Sequence, residues 1–197
     1  HAIAAWSRNP ETGAVFVTDT ERPSVLSVTR EALTRARFST QPPFIHYGNM
    51  FTPTAFQGEI TPEMITGVIH DNAKSLAVSG ISALETWLAE LSRWGATGDW
   101  HWTTRFAYQI IEKRGTGGGG FRKMYAEFLD EAVHYDASVQ QYRLPLLMRA
   151  CEKAWTALAM CLKSASESTN FPYAAIEEAI VAVMQAERNY TDAALAL

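Results

Sequence analysis

The chain has 197 residues, 47% of them hydrophobic and 19% charged, enough apolar sequence to bury a core and too much for a disordered chain. Its 17 Lys+Arg against 21 Asp+Glu give a net charge of −4, which argues against a duplex nucleic-acid binder, whose surface carries a basic excess. No apolar run reaches the ~18 residues of a membrane span; Cys151 and Cys161 fall in one helical pattern, about 15 Å apart and beyond disulfide reach, so a soluble, cytoplasmic protein without disulfides is expected.

The first elements are β-type. Ile3-Ala4-Ala5-Trp6 and Ala14-Val15-Phe16-Val17 flank Asn9-Pro10-Glu11-Thr12-Gly13, a cluster of turn formers, so a β-hairpin is the simplest reading. Residues 27–37 fit a short helix with Val28, Ala32 and Leu33 inward, and 38–60, with Pro42, Pro43 and Pro53, reads as an irregular linker. The composition changes near residue 50, which predicts two domains, 1–50 and 51–197.

Helical spacing governs the rest. Thr61-Pro62-Glu63 is a helix start, with Thr as N-cap and Pro at the first helical position. Met64, Ile65, Val68, Ile69, Leu76 and Ala77 line one face, and Gly80 is expected to close that helix. Ser82-Ala83-Leu84-Glu85 reads as a capping box opening the next, with Leu84, Trp87, Leu88 and Leu91 inward and an end at Gly95. Further helices are predicted at 100–114, 121–135, 145–166 and 172–192. The clearest stripe is Phe121, Met124, Tyr125, Phe128, Leu129 and Val133. Short connections favour antiparallel neighbours. The fold class expected is α+β, mostly α-helical: a short N-terminal β-hairpin followed by a helical bundle.

Two places could carry chemistry. If Asn9–Glu11 form the hairpin loop, Ala5 faces Val15, Ile3 faces Val17 and His1 faces Asp19, all on one side of the ribbon. A carboxylate beside an imidazole is the base-and-orienter half of a nucleophilic triad. A terminal His followed by an ordinary turn Asp has the same spacing.

The second place is Arg114-Gly115-Thr116-Gly117-Gly118-Gly119-Gly120-Phe121-Arg122, which holds five of the chain's 12 glycines just before a strong helix. Converging backbone N–H groups, a helix N-terminus and Arg114 and Arg122 could bind a phosphate or carboxylate, with Gly117, Gly118 and Gly119 as the cradle. The same run serves equally as a flexible connection. It is neither a Walker loop nor a dinucleotide fingerprint, because no strand precedes it. His46, His70, His101 and His134 show no metal-ligand spacing, and Cys151 and Cys161 read as buried small hydrophobes. Trp87, Trp94, Trp100, Trp102 and Trp155 read as core aromatics, with some of those around Gly98-Asp99 able to line a pocket.

The segment IEKRGTGGGGFRKMYAEFLDEA, from Ile111 to Ala132, resembles the helical C-terminal domain of BtrH-like proteins, named from butirosin biosynthesis. HAIAAWSRNPETGAVFVTDT, followed by SVTREALTRARFS, resembles the end of that family's N-terminal domain, where a His opens one strand and an Asp closes the next. Trp6-Ser7 departs from the Gly-Tyr-Asp that often continues such strands. The resemblance implies that 1–50 is the end of a papain-like catalytic domain, its hairpin a remnant of the papain-like sheet. It implies a Cys-His-Asp acyltransferase taking an acyl group from an acyl carrier protein to a small amine. His1 would be general base and acid, and Asp19 its orienting partner. The nucleophilic Cys is then expected upstream of His1, on a missing N-terminal segment of the same protein, unless His1 is a tag remnant. Phosphopantetheine would arrive on the carrier, with no resident cofactor or metal; no nucleic acid or membrane is implied, and a homo-oligomer is compatible. A cysteine peptidase or amidase, or a non-enzymatic helical interaction domain, are the other readings.

Overall fold

A computed structural model describes residues 3–19, 22, 24–41, 45–50, 52 and 58–197. The chain divides into two compact units, His1–Gly58 and Glu59–Leu197. As the sequence implied, the architecture is α+β and mostly helical, with a small antiparallel sheet at the N-terminal end and a helical bundle after it.

The first unit holds strands β1 (Ala4–Arg8), β2 (Val15–Thr18) and β3 (Leu26–Val28) in the order β1-β2-β3, then helix α1 (Arg30–Arg37). Asn9 closes the first turn, its side-chain oxygen accepting from the N–H groups of Glu11 (2.9 Å) and Thr12 (3.1 Å). The loop is longer than expected, because Asn9 pairs through its N–H with Ala14 and Gly13 takes a positive φ. The pairing therefore runs Arg8 with Val15 and Ser7 with Phe16, slips at a bulge over Trp6, and continues as Ala5 with Val17 and Ala4 with Thr18. The expected pairs Ala5–Val15 and Ile3–Val17 do not form. Residues 27 and 28, expected in a helix, belong instead to β3, and Thr29 caps α1 by accepting from Ala32 N–H. Pro42, Pro43 and Pro53 of the expected linker lie outside the described residues.

The second unit begins as predicted: Thr61 caps α2 (Pro62–Ser75) by accepting from Met64 N–H at 3.3 Å. The helix does not stop at Gly80. It passes through a π-helical segment, Leu76–Gly80, straight into α3 (Ile81–Ala96). Gly80 keeps helical dihedrals (φ −68°), and the N–H of Ile81 reaches back five residues to the carbonyl of Leu76. A glycine ends a helix by turning left-handed, which this one does not do. The Ser82 capping box therefore has no free helix end to cap, and 62–96 is one rod of roughly 50 Å.

Beyond it come α4 (Trp100–Glu112), α5 (Arg122–Ala132), the short α6 (Ser138–Gln141), α7 (Leu144–Ala165) and α8 (Tyr173–Leu195). Phe121 and Met124, expected in the α5 stripe, face outward at 55% and 53% exposure. Phe121 sits left-handed ahead of the first helical residue, so the buried face is set by Ala126, Leu129 and Ala132 instead. The core has two clusters. One joins Ile65, Ile69, Leu129, Met148, Cys151 and Tyr190; the other joins Leu84, Leu91, Ile111, Leu158, Leu162 and Ile180. Helices α7 and α8 run through both in opposite directions, and the α2–α3 rod spans the same two clusters.

Two glycines give opposite expectations. Gly67 sits inside α2 with nothing near a would-be Cβ, so Gly67→Ala is expected to stabilise by about 0.5–1 kcal/mol. Gly119 has φ +55° and a would-be Cβ 3.1 Å from the Glu152 backbone, so Gly119→Ala is expected to cost about 2–3 kcal/mol. Urea denaturation of the two variants checks both signs.

Candidate functional site

The seam between the two core clusters is polar. Glu187 on α8 falls between Val183 and Met184 in one cluster and Tyr190 in the other, and is 1% exposed. Its Oε1 accepts from Arg122 Nε at 2.7 Å and from Trp155 Nε1 at 2.7 Å. Arg122 also donates through Nη1 to the carbonyl of Gly120 (2.7 Å), and its guanidinium lies over the Trp155 ring at 5.1 Å. One carboxylate thus ties the start of α5, the middle of α7 and the middle of α8. A buried pair of this kind is costly to break, because the surviving charge is left in a low dielectric.

Beside the pair is a cavity of about 270 Å³, walled by Leu76, Leu84, Trp87, Arg122, Trp155 and Glu187. The π-helical segment forms part of its rim. Two buried side-chain atoms among the described residues have no hydrogen-bond partner, and both are on residues that line this cavity: Trp87 Nε1 and Glu187 Oε2. Each such atom costs about 1–3 kcal/mol. The sequence marks Trp87 and Trp155 only as core aromatics, its pocket alternative falling on the tryptophans around Gly98-Asp99, and it gives no role to Glu187. Its one legible signal was an acid at a position where the helical stripe of α8 calls for an apolar residue.

The glycine run is packed at Thr116 and Gly119, while Gly115 and Gly117 are exposed. Gly119 N–H donates to Glu112 Oε1 (3.1 Å), which also accepts from Thr156 Oγ1 (2.6 Å). The Thr116 hydroxyl is buried and donates to the carbonyl of Ile111. Gly117 to Gly120 all take positive φ, and at Gly119 the chain presses against α7, where a would-be Cβ meets the Glu152 backbone at 3.1 Å. Arg114 is held by Gln109 through Nε and Nη2 and lies over the Phe106 ring at 5.2 Å, while Arg122 turns inward to Glu187. The carboxylate that the loop holds is therefore the chain's own Glu112.

Of the hairpin candidates, Asp19 follows directly after β2, and its carbonyl accepts from Arg22 N–H. Extending the observed register by one pair sets Asp19 level with Ile3; the expected His1–Asp19 pairing lies outside the described residues, because His1 does.

The thiols are poor nucleophiles. Cys151 is fully buried; loss of hydration, reinforced by the charge of Glu187, pushes its thiol up to about 12. Burial raises the Cys161 thiol as well. A second, open groove of about 520 Å³ contains His70, Thr66 and Asp136. There Ser138 and Thr66 donate to the Asp136 carboxylate and hold it below the usual carboxylate range, so Asp136 is committed to fixing the α5–α6 turn against α2. Among the described residues no group of three His, Cys, Asp or Glu could hold a metal ion, and no helix is long and apolar enough to cross a membrane.

The fold and the seam define a mostly helical α+β chain whose polar groups converge inside a bundle. The chain belongs to the family described as Domain of unknown function (DUF4872), whose model matches residues 31–194. Among curated proteins and among solved structures, nothing matches.

Arg122→Ala should leave the Glu187 charge buried and unpaired, lowering stability by about 3–5 kcal/mol in chemical denaturation. Because the Cys151 thiol is raised from 9.0 in the folded chain, it stays protonated through pH 9, and whatever stability this confers is lost as pH rises from there toward 12. Alkylation of Cys151 by iodoacetamide at pH 8.5 should accordingly track unfolding, with Cys161 modified first; peptide mass spectrometry reads the order.

Proposed function

We propose that the chain is the C-terminal portion of a BtrH-like, papain-like acyltransferase that moves an acyl group from an acyl carrier protein to a small amine. His1 acts as general base and acid, Asp19 orients it, and a Cys preceding His1 in the same protein is the nucleophile. The thiolate attacks the carrier thioester and expels the carrier thiol, leaving an acyl-enzyme. The amine then attacks that carbonyl, the new C–N bond forms, and the Cys sulfur departs and is reprotonated from His1.

The observation that carries this reading is the antiparallel β1–β2 hairpin with Asp19 directly after its second strand, followed by β3 and α1. The burial of Cys151 and the half-burial of Cys161, which raise both thiols, add support, since neither is suited to the nucleophile's role. A second reading, a helical domain without chemistry of its own, is favoured by the family match, which begins at residue 31 and leaves the hairpin outside it.

The test is turnover of a carrier-bound thioester by the full-length protein with an amine present, products identified by mass spectrometry. An amide product is expected, with Asp19→Asn lowering kcat/KM by about 10²–10⁴-fold and Cys161→Ala leaving it within a few-fold. Free acid alone would make the protein a hydrolase. No turnover, or an inert Asp19→Asn change, would favour the helical-domain reading.

A further inference from the structure

We propose that the cavity beside Glu187 is a binding site for a small uncharged ligand whose polar group both donates and accepts a hydrogen bond, an amide in the first instance. The inference lies wholly within the helical unit and stands apart from the acyl-transfer reading, so either can fail alone.

Three observations converge on it. The cavity of about 270 Å³ lies just below the usual range of small-molecule sites, about 300–1,000 Å³. It has room for about nine waters, and so for a ligand on the order of ten non-hydrogen atoms. Two of its lining residues carry a buried polar atom without a partner: a donor, Trp87 Nε1, and an acceptor, Glu187 Oε2. Glu187 is 1% exposed and already satisfied through its other oxygen, so the second oxygen is not needed to hold the seam together. Finally, the rim contains the π-helical segment Leu76–Gly80, a departure from α-helical geometry that recurs at functional sites.

The chemistry of the ligand follows from the charges. Arg122 and Glu187 cancel at 2.7 Å, so a cation or anion entering the cavity would bring a net charge that nothing there offsets. A neutral amide carries one group for each vacant atom, an N–H for Glu187 Oε2 and a carbonyl for Trp87 Nε1. Leu76, Leu84 and the Trp155 ring offer an apolar surface to the ligand's body.

The full chain is titrated with benzamide, with toluene, benzoate and benzylammonium as comparators of similar size. NMR of the indole N–H resonances and calorimetry give the readouts. Saturable binding of benzamide ahead of all three comparators is expected, with the Trp87 indole N–H moving downfield as it acquires an acceptor. Trp87→Phe keeps the ring and removes the donor, and should weaken benzamide about fivefold or more while leaving toluene unchanged. In Glu187→Gln the side-chain carbonyl remains with Arg122 and Trp155 and turns an NH₂ toward the cavity. A donor then replaces the acceptor, and benzamide affinity should fall at least tenfold. The proposal is overturned by absence of saturable binding up to the solubility of benzamide, by tighter binding of benzoate or benzylammonium, or by a folded Trp87→Phe chain with undiminished affinity. The resonance shift and the order of affinities are read on the unaltered protein, so they decide the matter even if a variant does not fold.

Discussion

One carboxylate oxygen organises the helical unit. Oε1 of Glu187 collects N–H groups from Arg122 and Trp155, and in doing so joins three helices at the level where one hydrophobic cluster gives way to the other. Arg122 extends the network to the carbonyl of Gly120, so the glycine run, the start of α5 and the centre of the bundle are fixed together. An unpaired charge cannot remain at this depth, so the positions of α5, α7 and α8 depend on one another through this pair rather than through apolar packing alone.

The π-helical segment belongs to the same seam. Helix α2 contributes Ile65, Ile69 and Ala73 to one cluster, and α3 contributes Leu84 and Leu91 to the other. A straight α-helix would carry one stripe past both. The wider turn rephases the stripe by a fraction of a turn, so that both ends of a single rod face α8. Gly80 was read as a stop because glycine commonly ends helices. Here it serves a turn that needs little room on the cavity side, with Leu76 the only neighbour close to a would-be Cβ.

The glycine run and the hairpin show what local pattern leaves open. Basic residues beside glycines ahead of a helix have the composition of an anion-binding loop, and the loop does hold a carboxylate, that of Glu112. Which carboxylate fills such a loop depends on what the previous helix places beside it, and that is a matter of packing. In the hairpin, strand positions were legible from alternation and the turn from Asn9 to Gly13. The register was not, since the bulge at Trp6 and the positive φ of Gly13 each move the pairing without changing which residues favour strands.

The sequence by itself determined the fold class, the change from β to α character, the cap at Thr61 and most helix boundaries, because these depend on interactions within about four residues. It also marked Cys151 as buried, since it lies among apolar neighbours at helical spacing, while Cys161, read the same way, is only half-buried. Tertiary structure alone decided that α2 and α3 are one rod, that Phe121 faces outward, and that Glu187, Arg122, Trp155 and Trp87 meet. Glu187 and Arg122 stand 65 positions apart, and no local periodicity encodes a contact at that range. A buried acid declares its partner only when the helices that carry the two have packed.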